Sequence, residues 1–254
     1  MRRIRYLTNR HRAPSTNVAL AQILAFNAGA LNAGGFLVLH MYTSHMSGFA
    51  SQFADGLALK DRGVVLSAMG AILSFVVGAA VCSILVAASR RLKLYSVYAL
   101  PLMLEALLML MFGLMGPVLL TWVTPFAVPL TVVLLAFIMG LQNAVGSKTS
   151  AGNLRTTHMT GNITDFGMEL GKLIFLKQDD HESSTRWTQN IRHMKIHAGL
   201  IGAFILGGVL GALGFKQFGF ACVMPLATIL LCLSIPPLWR DAKVLQENIC
   251  KAIR

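Results

Sequence analysis

Six long apolar stretches constrain what this chain can fold into, and five of them contain no charged residue. A helix of about 20 apolar residues crosses the hydrocarbon core of a bilayer and satisfies its own backbone polar groups there. Only 13% of the 254 residues are charged, too few to cover a water-soluble domain of this size. The sequence therefore predicts an all-α integral membrane protein. Its six predicted transmembrane helices are 17–39, 64–89, 94–115, 117–145, 196–215 and 218–239.

Two shorter and more polar segments follow the first and the fourth predicted span. They cover 46–59 and 159–175, and each begins with a hydroxyl residue and a glycine, as in Ser47-Gly48 and Thr160-Gly161. Both are too short or too polar to cross the bilayer comfortably. We therefore interpret them as re-entrant or half helices.

The net charge of +12 raises the question of a nucleic-acid partner, but the positions of the basic residues indicate membrane topology instead. With the N-terminus in the cytoplasm, 19 of the 22 Lys and Arg lie on the cytoplasmic side. The opposite side keeps only Lys60, Arg62 and Lys216. This asymmetry follows the positive-inside rule. We expect a multi-pass protein with both termini in the cytoplasm, whose partner is the lipid bilayer and not a nucleic acid.

The chain also contains an internal repeat, because four blocks recur in the same order. The first block recurs at a constant offset of 111 residues. The matches are Ala25-Phe26, Gly29 and Asn32-Ala33 with Ala136-Phe137, Gly140 and Asn143-Ala144; His45-Met46-Ser47-Gly48 with His158-Met159-Thr160-Gly161; Phe75 and Gly78 with Phe204 and Gly207; and Pro101-Leu102 with Pro225-Leu226.

Each copy of the repeat contains three predicted spans and one half helix. Because three is odd, two consecutive copies enter the membrane in opposite orientations. Inverted repeats are typical of secondary transporters, in which interrupted helices of both halves meet near the membrane midplane. The predicted organisation is a basic cytoplasmic tail at 1–16, repeat 1 at 17–115, repeat 2 at 116–239 with a cytoplasmic loop at 176–195, and a cytoplasmic tail at 240–254.

The sequence resembles the YoaK family of bacterial inner-membrane proteins. The resemblance depends on TSHMSG at 43–48, GLQNA at 140–144 and RTTHMTGNITD at 155–165, and it extends from about residue 20 to 238. The first block departs from the family pattern at Phe49, where that pattern has Asn. The resemblance implies a membrane fold in a bacterial inner membrane, and it supplies no substrate and no catalytic residue.

The N-termini of the two half helices are candidate binding sites for a small molecule, because free N–H groups and a partial positive charge suit an anionic group. The alternative is that these residues only cap and break helices in a buried turn. The amides of the first and fourth spans and the two equivalent histidines complete the expected substrate site. Its residues are Asn32, His45, Ser47, Gly48, Asn143, His158, Thr160, Gly161 and Asn162.

Four titratable residues are candidates for proton coupling. His158 carries an imidazole close to the predicted midplane. Asp165 and Glu169 are four residues apart on one helix face, and the alternative for them is hydration at the interface or a pair with Lys172. Glu105 is the one acid within an apolar span, where an unpaired carboxylate is costly, so it is expected to be protonated, paired or next to a polar cavity.

The leading hypothesis is therefore a secondary transporter for a small polar or anionic metabolite, working by alternating access with protons as a candidate driving ion. The alternative is a scaffold or sensor module that acts through its cytoplasmic loop and transports nothing. The sequence has no recognisable nucleophile and base set and no metal-ligand spacing. We expect no enzyme activity, no cofactor and no metal, and a homo-oligomer is compatible with the sequence.

Overall fold

The computed structural model describes residues 14–125, 128–149, 156–176 and 183–253. Most of this part of the chain is helical, and the connections between helices include one isolated β-bridge between Val123 and Pro129. A short 3-10 segment, Gly219–Cys222, joins the last two helices. The helices are α1 (Pro14–Leu39), α2 (Met46–Leu59), α3 (Arg62–Arg91), α4 (Ala99–Thr121), α5 (Leu130–Thr149), α6 (Met159–Leu176), α7 (Ser183–Phe218) and α8 (Val223–Ile253).

Five helical segments in the described residues are long and apolar enough to cross a membrane. The last of them is 57 residues long and includes most of α7, the 3-10 segment and most of α8. Large apolar side chains such as Val76, Ile84 and Leu206 remain exposed on the outer surfaces of these helices. Contiguous apolar surface of this kind is typical of helices that face lipid. The five segments are Asn17–Leu39, Arg62–Arg91, Ala99–Thr121, Leu130–Lys148 and Trp187–Lys243.

The two half helices begin and end almost where the sequence predicts, but the boundary between the third and fourth spans differs. The sequence places that boundary at 115–117, whereas α4 continues to Thr121 and α5 begins only at Leu130. Pro117 lies inside α4. A proline removes one backbone donor, and this loss is tolerated in a membrane helix where neighbouring groups satisfy the freed carbonyl. The expected break after Gly116 was therefore wrong.

The predicted tails and loop lie partly outside the described residues. This holds for 1–13 of the basic tail, for 177–182 of the loop and for residue 254. The rest of the segment predicted as a loop is helical, because α7 already begins at Ser183. Likewise α8 continues through the predicted C-terminal tail to Ile253.

The helices pack in pairs that join distant parts of the chain. The main partners are α1 with α7, α3 with α5, and α4 with α8. Each half helix lies against the helix that follows it, so α2 packs on α3 and α6 packs on α7. One hydrophobic core runs through the centre of this arrangement and includes Leu24, Met109, Phe112, Leu135 and Leu230.

Glycines mark the two places where paired helices approach most closely. A Cβ atom added at Gly207 would collide with the carbonyl oxygen of Phe26, and one at Gly29 would collide with that of Phe204. The same reciprocal contact joins α3 and α5, where Gly78 meets the carbonyl of Phe137 and Gly140 meets that of Phe75. Small residues at a crossing allow such backbone contact between membrane helices. All eight positions belong to the sequence repeat.

Candidate functional site

Both half helices begin at the wall of one cavity of about 570 Å³. Its lining combines the ends of α1 and α5, the two segments that precede α2 and α6, and one phenylalanine each from α3 and α7. Apart from Tyr42, the lining residues form pairs at equivalent positions of the repeat. The pairs are Asn32 with Asn143, Ser44 with Thr157, His45 with His158, Met46 with Met159, Ser47 with Thr160, and Phe75 with Phe204.

The first half helix is held in place by the amide of Asn32. Its Oδ1 accepts hydrogen bonds from the backbone N–H of Ser44 at 3.2 Å and from the hydroxyl of Ser44 at 2.9 Å. These contacts connect the end of α1 to the turn before α2. Both hydrogen bonds use the oxygen of the amide. The Nδ2 group of Asn32 is the donor of that side chain and takes no part in them.

The second half helix is capped by a histidine. Nδ1 of His158 accepts a hydrogen bond from the backbone N–H of Gly161 at 3.1 Å, which satisfies one of the free donors in the first turn of α6. A side chain in place of Gly161 would collide with this imidazole, so glycine keeps the cap possible. His45 lies over Gly48 at the equivalent position, but it makes no side-chain hydrogen bond to the start of α2.

The two halves also differ in their amides. Oδ1 of Asn143 is buried and has no hydrogen-bond partner among the described residues, whereas its counterpart in Asn32 accepts two bonds. An unpaired buried acceptor is costly unless another group supplies a donor. Among the buried side-chain atoms of the described residues that line the cavity, Oδ1 of Asn143 is therefore an acceptor without a partner.

Six of the nine residues expected in a substrate site line this cavity together, namely Asn32, His45, Ser47, Asn143, His158 and Thr160. The other three lie in the first turns of the half helices, behind the lining. Gly48 and Gly161 contact the two histidines, and Asn162 is buried.

None of the expected acidic residues lines the cavity in the described part of the chain. Glu169 is buried and pairs with Lys172, with 2.8 Å between Oε1 and Nζ, which is the structural alternative foreseen for this helix. Asp165, on the same face of α6, is partly buried. Glu105 is fully buried in α4, and neither of its oxygens has a hydrogen-bond partner among the described residues.

The structure adds lining residues that the sequence did not single out for a site. Phe75 and Phe204 form apolar walls, and Met46 and Met159 lie at the starts of the half helices. The repeat contains a signal for all four, because each pair occupies equivalent positions in blocks already recognised. Tyr42 carries no such signal, and its ring stacks on Phe36 with 4.4 Å between centroids.

The fold and the site together define a multi-pass α-helical membrane protein with a cavity lined by both polar and apolar side chains. The chain belongs to the family described as "Protein of unknown function (DUF1275)", whose model matches residues 20–235. It is 24% identical over 162 residues to the UPF0700 transmembrane protein YoaK of Bacillus subtilis (strain 168), a match that covers 63% of this chain and 70% of that protein. The resemblance to the YoaK family is thus confirmed. No solved structure matches the chain.

Proposed function

We propose that this protein is a secondary transporter that moves a small polar or anionic metabolite by alternating access. The observation that carries the proposal is the composition of the cavity, which is built from paired residues of both repeats at the starts of two half helices. Transporters with inverted repeats bind their substrates at such a place, where the ends of interrupted helices provide unpaired backbone groups. The two sets of lining residues then form the binding site from both sides of the bilayer.

The proposal includes six spans in two inverted repeats. A segment of 57 residues is far longer than the roughly 20 residues that one crossing requires, so the segment that contains α7 and α8 is counted as two spans. The reciprocal glycine contacts support the repeat, because equivalent residues of the two halves make equivalent backbone contacts. Both termini are assigned to the cytoplasm of a bacterium by the distribution of Lys and Arg.

Proton coupling is assigned to His158, Asp165, Glu169 and Glu105. His158 is the member of this set that lines the cavity, where its imidazole meets the transported molecule. Glu105 is fully buried without a partner for either oxygen, and an ionised carboxylate is unfavourable in such surroundings. A change of conformation that hydrates or pairs this group would therefore be coupled to release of its proton.

The test is uptake by liposomes that contain the purified protein. A mixed panel of small metabolites is offered outside, and the solutes that accumulate inside are identified by mass spectrometry. We expect at least one organic acid or polar solute to accumulate above the level of protein-free liposomes. If no solute does so while the protein is folded and inserted, the transporter proposal is wrong and the scaffold alternative gains support.

Replacing His158 by Asn tests the titratable imidazole separately from the helix-capping role of this side chain. Asn is a favoured N-cap residue and can still accept a hydrogen bond from Gly161, but it cannot titrate near neutral pH. We expect uptake by H158N to fall by about a hundredfold or more, because a positioned proton-transfer group typically contributes about 10²–10⁴-fold. His193→Ala, at an exposed position of α7 outside the cavity, should leave uptake unchanged. Unchanged uptake in H158N and in Asp165→Asn would reject their assigned roles.

A further inference from the structure

We infer that the cavity selects a small organic acid that carries a single negative charge on a short apolar body. This inference rests on the proposed function, because it names the class of substrate for the same site. It follows from three properties of the lining: its net charge, the balance of hydrogen-bond donors and acceptors, and its apolar walls.

The charge of the lining excludes most other classes of ligand. In the described part of the chain, no Asp, Glu, Lys or Arg lines the cavity. A cation therefore finds no counter-charge there, and a dianion would bring more charge than the partial positive ends of two helices can stabilise. A single carboxylate matches the field at the starts of α2 and α6.

Two of the polar lining groups present donors, because their acceptors are already used inside the protein. Oδ1 of Asn32 binds Ser44, which leaves Nδ2. Nδ1 of His158 binds Gly161, so the proton of the neutral ring lies on Nε2. Nε2 in this form cannot coordinate a metal ion, which needs an unprotonated ring nitrogen.

An independent observation also points to a ligand. Asn143 is equivalent to Asn32, but in the described part of the chain its Oδ1 accepts no counterpart of the two bonds from Ser44 and stays buried without a partner. The NH₂ group of this amide can donate to a carboxylate of a bound molecule, and its unpaired Oδ1 can accept from a hydroxyl or N–H group of that molecule.

The rest of the lining requires an organic body. Phe75, Phe204, Met46 and Met159 supply apolar surface that an inorganic anion would leave unfilled. A cavity of about 570 Å³ is also within the range of pockets that enclose small metabolites. A lining that combines hydrogen-bond donors with apolar side chains matches a carboxylate with a short hydrocarbon chain.

The test compares four probes of similar size, namely butyrate, butyramide, succinate and butylammonium. Binding to the purified protein in nanodiscs is measured by isothermal titration calorimetry at pH 8. We expect butyrate to bind at least tenfold more tightly than each of the other three. Equal or tighter binding of the neutral amide, the dianion or the cation would overturn the inference.

The sign of the charge is tested by Asn32→Asp. An aspartate can accept the same two hydrogen bonds from Ser44, so the turn before α2 is kept while a negative charge enters the cavity. We expect N32D to bind butyrate at least tenfold more weakly and to bind butylammonium more tightly than the unmodified protein. Gln52→Glu is the matched control, because it makes the same change at an exposed position of α2 outside the lining. Butyrate binding in N32D equal to that in Q52E would refute the inference.

The two proposals fail in different ways. If butyrate binds with this selectivity but is not accumulated by liposomes, the inference about the site stands and the transporter proposal does not. If another class of solute accumulates and N32D leaves its uptake unchanged, transport stands and the inference about the organic acid is wrong.

Discussion

At the scale of single residues, the glycines at the helix crossings have the clearest role. Gly207 of α7 lies against the carbonyl oxygen of Phe26, and the position leaves no room for even one methyl group. Gly202 of the same helix has no heavy atom within 4 Å of the place where its Cβ would be. The two positions therefore separate the cost of close packing from the intrinsic helix preference of alanine.

We predict that Gly207→Ala lowers the free energy of unfolding by about 1–3 kcal/mol, the range for overpacking a tight contact. Gly202→Ala should change that free energy little or raise it slightly, because alanine is the better helix former. Equilibrium unfolding in mixed micelles measures both variants against the unmodified protein. An equal effect of the two substitutions would show that the crossing at Gly207 is not a close contact.

The candidate site was also predictable at this scale, but only in part. Position within a repeat identified six lining residues, because equivalent breaks in two half helices create equivalent polar groups. It did not indicate that Oδ1 of Asn32 binds Ser44 while Oδ1 of Asn143 has no partner among the described residues. That difference depends on the local backbone around each amide, and a sequence pattern contains no information on such geometry.

At the scale of elements, an aspartate of α8 binds the connection between α3 and α4. Oδ1 of Asp241 accepts from the backbone N–H of Tyr95 at 3.2 Å, and Oδ2 accepts from that of Ser96 at 3.0 Å. Asp241 is 5% exposed, and the guanidinium of Arg240 lies 4.7 Å from the centre of the Tyr95 ring. The carboxylate thus joins the segment between α3 and α4 to a helix about 145 residues later in the chain.

We predict that Asp241→Ala lowers the free energy of unfolding by about 2 kcal/mol, because hydrogen bonds to a charged group contribute about 1.5–3 kcal/mol and two backbone donors lose their acceptor. Asp241→Asn should have a smaller effect, since its one amide oxygen can still accept. Asp55→Ala, at an exposed position of α2, serves as the control. Thermal unfolding in detergent ranks the three variants, and an effect of D241A no larger than that of D55A would contradict the prediction.

Most helices follow directly from the hydropathy of the sequence, and the half helices follow from their polar starts. The end of α4 does not, because Gly116-Pro117 has the composition of a helix end although the helix continues through it. The start of α7 at Ser183 was missed for the opposite reason: its first turns are polar, so their composition resembles that of a loop. In both places the local composition predicts the end of a helix or a loop, but the backbone remains helical.

At the scale of the whole molecule, the long helices of one half pack on long helices of the other half. The first helix of each repeat packs on the second long helix of the other repeat, through Gly29 and Gly207 in one case and Gly78 and Gly140 in the other. This pairing could not be predicted from the spacing of the repeat or from the composition of the sequence, because contacts between distant helices depend on tertiary packing. The pairing explains why one cavity contains residues of both repeats, since neither half encloses it alone.

The proposed inversion makes a prediction about which side of the membrane each half helix ends on. Lys60 follows α2 and Lys172 lies in the last turns of α6, and both side chains are charged, so each position is expected at an aqueous surface. If the halves are inverted, the first faces the exterior and the second faces the cytoplasm. The ion pair of Lys172 with Glu169 is largely exposed on the lysine side, and losing such a pair costs little stability.

We therefore predict that Lys60→Cys reacts with a membrane-impermeant maleimide in intact cells, whereas Lys172→Cys reacts only after permeabilisation. Both variants are made in a chain whose four native cysteines are replaced by serine or alanine, so that every label reports the new position. Arg91→Cys at the end of α3 provides a cytoplasmic control, because this helix crosses from the exterior side of Lys60. Labelling of both half helices from the same side would mean that the two repeats are parallel. Alternating access between inverted halves would then be ruled out, although residues of both repeats would still line the cavity.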